Sequence, residues 1–138
     1  MAKLPERRRV AVWIWRRGPP DELLTHPHVS KGREDWGPLQ VELAPGEHWP
    51  AALVRAVEQA TGTKPLSVLD LELPNEFEVK HGPSAGAWKE KLFAAEVPAG
   101  TPAREGRWLV HYEAKAGASS PRARDGVTRL RERLRLKP

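Results

Sequence analysis

Residues 36–62 read WGPLQVELAPGEHWPAALVRAVEQATG, and the order in this stretch is strand, turn, helix. Leu39, Val41 and Leu43 alternate with Gln40 and Glu42, the pattern of a half-buried strand over 38–44. Pro45-Gly46 ends it with a turn. From Pro50 to Thr61 the period changes to helical: Leu53, Val57 and Ala60, with Ala56 beside them, form one apolar stripe, and Arg55 and Glu58 point away from it. Pro50 suits the first turn of a helix, where its missing N–H costs nothing. Gly62 stands where a left-handed cap is expected.

Upstream, Val10-Ala-Val-Trp-Ile-Trp15 is a short apolar, partly β-branched run that predicts a buried strand, broken by Arg17-Gly-Pro-Pro20. Residues 22–28 suit a second strand, which Pro27 confines to an edge or an end, and 29–35 are polar enough for a loop. Downstream, strands are predicted over 66–73, from about Phe77, over 88–97 and over 108–112, with turns between. Ser120-Pro121 opens a second amphipathic helix to about residue 136, with Ala123, Val127, Leu130 and Leu134 inward, Arg outward, and Gly126 as its weak point. A helix between strand runs and another at the end predict an α/β sandwich, a mixed sheet between helices, in one domain spanning 1–138.

The composition supports a core, with 39% hydrophobic residues and six Trp, and its 30% charged residues argue against a membrane protein. The basic start is followed by too short an apolar run for a signal peptide, and with no Cys the expectation is a cytoplasmic protein. Few Asn, Gln and Met among many Pro suggest heat stability. The net charge of +5 is uneven: residues 1–20 and 119–138 each carry +5, and 21–118 carry −5. Basic ends on an acidic body admit nucleic-acid binding, although a solvated charged face explains them as well.

The stretch 36–62 resembles the Nudix box of the MutT-like hydrolases, which reads G, five residues, E, seven residues, R-E-U-x-E-E-x-G-U, with U a bulky aliphatic. Glu47 takes the first Glu position, Arg55 follows after seven residues, Val57 is the aliphatic and Gly62 the later glycine. Trp36 lies where family members carry an aromatic residue. Trp108 followed by Glu113-Ala114 resembles the segment leading to the last helix of the fold. The resemblance implies a Nudix-like α/β/α sandwich, with Glu47 and Arg55 bracing the loop against the helix.

The departures fall on the chemistry. Val41 replaces the opening glycine, and Ala56, Gln59 and Ala60 stand where the family carries the glutamates that hold Mg²⁺ or Mn²⁺. Hard divalent ions need oxygen ligands, usually anionic. Two alanines supply none and Gln59 one neutral oxygen, so no metal cofactor is expected, and Glu47 is the residual ligand if there is any. Glu58 is the other acid on the helix and, with Glu47, the catalytic candidate of an active enzyme.

Three readings of function follow. One is a Nudix-like domain without metal-dependent hydrolysis that binds a nucleotide-like ligand or a protein partner. Another is a divergent hydrolase of a nucleoside diphosphate linked to another group, using Mg²⁺ or Mn²⁺ and acids recruited from Glu42, Glu72, Glu76, Glu78 or Glu113. The third is a nucleic-acid-binding accessory protein. Trp13, Trp15, Trp36 and Trp49 are the candidates for stacking on a ligand, with core packing as the competing role. His26 and His28 share a strand face, and His48 is the third residue a metal would need there.

Overall fold

The computed structural model describes residues 3–30 and 33–136. In chain order they form β1 (Glu6–Arg16), β2 (Glu22–Ser30), β3 (Arg33–Gly37), β4 (Leu39–Glu42), α1 (Trp49–Thr61), β5 (Ser67–Asp70), β6 (Asn75–Val79), β7 (Gly86–Val97), β8 (Arg107–Val110), α2 (His111–Gly117) and α3 (Pro121–Leu136). The sheet has the path β3-β2-β1-β7-β5, with β4 also paired to β1, β6 to β7 and β8 to β2. Strands β1 and β7 run parallel and the other pairs are antiparallel, so the sheet is mixed as expected.

Strand β1 explains the layers. Val10 to Trp15 are all buried because successive side chains enter two different cores. Val12 and Ile14 join Leu53, Ala56, Val57 and Ala60 of α1, and Val10 joins Ala52. Ala11, Trp13 and Trp15 join Ala114 of α2, Ala118 just after it, and Ala123, Val127 and Leu130 of α3. The result is an α/β/α sandwich. The Trp13 indole N–H donates to the Ala123 carbonyl at 3.0 Å, which satisfies the one polar atom of that buried side chain.

Helix α1 has the expected limits. Pro50 stands in its first turn, and Gly62, at φ 76°, donates its N–H to the Glu58 carbonyl at 2.7 Å. Helix α3 starts as read, with the Ala123 N–H donating to Ser120 Oγ at 3.0 Å. Gly126 has a packing reason. A Cβ there would lie 2.6 Å from Leu92 Cδ2 and 3.3 Å from the Trp13 ring, so the glycine lets α3 sit close to the sheet.

Three expectations change. The loop expected over 29–35 is instead the end of β2 and the start of β3, which pair His26 to Ser30 with Gly37 to Arg33; residues 31 and 32 lie outside the described residues. The ladder hides the polarity of this segment, because an edge hairpin needs no apolar face. The strand expected over 66–73 ends at Asp70, whose carboxylate accepts the Glu72 N–H at 2.8 Å and turns the chain. Leu69, Leu71 and Leu73 still pack into the core beneath α3. The strand expected over 108–112 stops at Val110, and α2 follows. With seven residues and only Ala114 buried, α2 has too little periodicity to read.

Replacing Gly126 with Val is expected to destabilise the fold by about 3 kcal/mol, because the added carbons meet Leu92 and Trp13 in a filled core. Urea unfolding of the variant measures this, and a value near zero would mean that α3 does not pack as described.

Candidate functional site

Helix α1 and the turn before it carry the box residues. Arg55 Nη2 donates to Glu47 Oε1 at 2.8 Å and Nε to Oε2 at 3.1 Å, while Nη2 also reaches the Glu42 carbonyl at 3.1 Å. Glu47 Oε1 also accepts the Ala44 N–H at 2.9 Å. These bonds, Arg55 first and the amide second, hold the Glu47 carboxyl below its usual range. Glu47 and Arg55 thus brace the turn against the helix.

Ala56 and Ala60 are fully buried in the cluster formed with Val12, Ile14, Leu24, Ala95 and Val97. Val41, Ala103 and Trp108 pack against the same cluster. The segment between β7 and β8 is tied down there, with the Arg104 N–H donating to the Ala60 carbonyl at 2.7 Å. Gln59 and Glu58 are exposed.

Both Glu47 oxygens are engaged, its helix neighbours are methyl groups in the core, and among the described residues no group of three or more His, Cys, Asp or Glu stands close enough to hold a metal. The acids considered as substitutes are paired with arginines or exposed. Glu42 makes a two-oxygen pair with Arg7, Glu72 pairs with Arg133 at 3.1 Å, and Glu76, Glu78 and Glu113 are exposed on β6 and α2.

A cleft of about 530 Å³ opens on the α3 side of the sheet, lined by Arg9, Gln40, Trp36, Asn75, Glu90 and Arg122 among others. At its floor Glu90 is only 3% exposed and accepts from Arg9 Nε and Arg122 Nη1, with Gln40 Nε2 at 3.4 Å. Arg122 Nε also donates to the Leu73 carbonyl at 2.8 Å. A buried carboxylate is tolerable with two guanidinium partners and costly without them. The rim is stitched by the Trp36 N–H to Ser119 Oγ at 2.9 Å and the Ser119 N–H to the Trp36 carbonyl at 3.0 Å. The Arg107 guanidinium lies 4.6 Å from the centre of the Trp36 ring.

No family model matches the sequence, and no curated protein matches it. Among solved structures, the chain is similar to the E. coli dihydroneopterin triphosphate pyrophosphohydrolase, with a TM-score of 0.69 and 18% identity over 91% of this chain and 95% of that one. The chain has the Nudix fold. It is similar as well to the NUDIX domain of Shewanella oneidensis NrtR complexed with ADP ribose (TM-score 0.69, 12% identity, 97% and 90% covered). A third is the C-terminal domain of mouse MUTYH in complex with human PCNA (TM-score 0.63, 18% identity, 94% and 90% covered).

Within this Nudix fold the candidate aromatic residues part ways. Trp13 and Trp15 are 0% and 4% exposed in the core beneath α2 and α3, so their role is packing and not stacking on a ligand. Trp36 lines the cleft. Trp49 lies at the start of α1 between Arg8 and Lys91, whose cationic groups are 5.8 and 4.9 Å from its ring centre. The histidines do not converge either. His28 Nε2 lies 2.7 Å from the Pro38 carbonyl, and His26 is buried with neither ring nitrogen hydrogen-bonded among the described residues.

Sequence reasoning missed the group formed by Arg9, Glu90 and Arg122. Its one local signal is Glu90 between Trp88 and Leu92 on the inward face of a strand, since an acid on an apolar face needs a partner.

Ala60→Glu is expected to lower stability by on the order of 3 kcal/mol or more, because an unpaired carboxylate enters a sealed apolar cluster. Gln59→Glu should change little. Denaturant unfolding of both separates a buried face from an open one.

His26 predicts a pH dependence. Burial, and then the neighbouring His28, lower its pKa from 6.5 to about 4. The unfolded chain therefore binds a proton that the folded chain refuses, and stability falls as pH drops from about 6.5 to 4, by at most about 3 kcal/mol. Unfolding curves at several pH values should show this loss, and His26→Phe should flatten it.

Proposed function

We propose that this protein is a Nudix-fold binding module that does not perform metal-dependent pyrophosphate hydrolysis, and that it takes a nucleotide-like ligand in the cleft between the sheet and α3. The observation that carries the first half is the burial of Ala56 and Ala60 in the core beneath α1. Hydrolysis of a phosphoanhydride in this fold relies on metal charge to activate water and to offset the negative charge that develops. The helix face that would carry that charge supports the core instead, and Glu47 is committed to Arg55 and the Ala44 amide.

The cleft supports the second half. Trp36 offers an aromatic face, Gln40 and Asn75 offer amides suited to a heterocycle edge, and Arg9 and Arg122 offer cations for an anionic group. A guanidinium has five N–H donors, so pairing with Glu90 leaves some of them for a ligand. A Nudix domain of similar fold holds ADP ribose, which makes that compound a reasonable probe. The nucleic-acid reading has less support, because three arginines of α3 outside the cleft are committed to contacts within the fold. Arg129 holds the Leu71 carbonyl, Arg124 holds that of Ala118, and Arg133 pairs with Glu72.

The test pairs calorimetric titration with ADP ribose and AMP against a hydrolysis panel of nucleoside diphosphate derivatives in Mg²⁺ or Mn²⁺. Binding is expected, weakened about tenfold or more in Trp36→Ala by loss of a stacking face. No turnover above background is expected. Metal-dependent turnover that disappears in Glu47→Gln would overturn the proposal.

A further inference from the structure

We propose a second binding site on the face of the sheet opposite the cleft, where Arg8, Lys91 and Trp49 take a small phosphate-bearing anion. The strand register sets the site up. Side chains alternate along a strand, so Arg8 shares a face with Val10 and Val12 beneath α1, whereas Arg9 and Ala11 line the cleft on the other face. On the parallel neighbour β7, Lys91 lies beside Val10 and Lys89 beside Arg8. Cations of two adjacent strands are thus gathered on the α1 side, and the cleft has none of them in its lining.

Trp49 organises this group. Its half-buried side chain packs against Val10, Leu43 and Ala52, which fixes the ring at the start of α1. The Lys91 ammonium lies 4.9 Å and the Arg8 guanidinium 5.8 Å from the ring centre. A ring seated on the core holds both cations near one place before any ligand arrives, so binding costs little further ordering. The opening turn of α1 carries no acid, and the positive end of the helix adds to the same field.

The charge here lacks a counter-ion. Arg7, Arg9 and Arg16, the other arginines of β1, each pair with a glutamate. Among the described residues Arg8 and Lys91 form no ion pair. The acids nearby are otherwise placed. Glu47 feels the charge of Arg8, but its two oxygens are bonded to Arg55 and one of them also to the Ala44 amide. Glu6 and Glu76 lie round Lys89. Like charges set side by side on a sheet repel, and an indole offers a cation only the quadrupole of its ring. An anion seated between Arg8 and Lys91 removes that repulsion. The guanidinium presents a fork of N–H donors that matches phosphate oxygens, and the ammonium adds a point charge. Two cations suit an anion with two or more charges, which favours phosphate or diphosphate over a single carboxylate.

The test titrates inorganic pyrophosphate into the full chain at constant ionic strength and follows the indole N–H resonances of the six Trp, with Trp49 assigned from Trp49→Phe. A saturable shift centred on Trp49 is expected. Arg8→Gln and Lys91→Gln should each weaken binding about tenfold, as loss of one charged hydrogen-bond partner requires. Lys115→Gln, which removes a cation on α2, should leave it unchanged, and so should Trp36→Ala, which alters only the cleft. An unmoved Trp13 resonance, from the core, checks that each variant folds. ADP added to the Trp36→Ala chain identifies the source of the phosphate: an affinity equal to that of pyrophosphate assigns a free anion, and a tighter one that still falls in Arg8→Gln assigns a nucleotide. Shifts that do not saturate, shifts spread evenly over the six indoles, or undiminished binding in Arg8→Gln and Lys91→Gln would overturn the proposal.

Discussion

Strand β1 lies beside β7 in parallel from Glu6–Ala87 to Arg16–Val97, and this pairing is the constraint on which the rest of the molecule hangs. Parallel neighbours present their side chains to the same face, so each register pair feeds one core or the other. Val12 beside Phe93 and Ile14 beside Ala95 build the floor for α1. Ala11 beside Leu92 and Trp13 beside Ala94 build the floor for α3. The same register brings Arg9 next to Glu90, so the polar floor of the cleft follows from the strand pairing that makes the core. A one-residue slip would exchange the two faces and bury Arg9 beneath α1.

The many Trp and Arg residues in this chain are partners. Arg7 and Arg9 lie near the Trp88 ring, Arg8 near Trp49, Arg16 near Trp108, Arg17 near Trp15 and Arg107 near Trp36, at 4.3–5.8 Å from the ring centres. Each such contact contributes roughly 0.5–1 kcal/mol at an exposed site. Arg7, Arg9, Arg16 and Arg17 also pair with Glu42, Glu90, Glu22 and Glu96. The excess of positive charge near the start of the chain is thus taken up by rings and carboxylates of its own sheet. Among the described residues no cation lies over Trp13, which uses its indole N–H on α3 instead.

The α1 face that meets the sheet carries methyl groups at positions 56 and 60, both sealed in the core. An acid at 56 or 60 needs water or a cation beside it, and a methyl group needs neither. Beside these alanines Ala103 packs against the core, and the Ala60 carbonyl at the helix end accepts the Arg104 N–H. Glu47 and Arg55 pair across the turn that delivers the chain into α1 and hold it against the helix.

The features legible in the sequence are those set by contacts a few residues apart. Pro50 and Gly62 bound α1, Ser120 caps α3, and two-residue and helical spacings mark β1, β4, α1 and α3, because backbone conformation responds to the nearest neighbours in the chain. The missing acids at 56, 59 and 60 were equally plain. The tertiary structure alone decided that Glu90 meets Arg9 from 81 residues away and Arg122 from 32, that Trp13 and Trp15 are core while Trp36 faces a cleft, and that His26 is buried. Side chains so distant in the chain meet only through the sheet register and the seating of α3 on it, and no local pattern records which face of a doubly covered strand opens to a ligand.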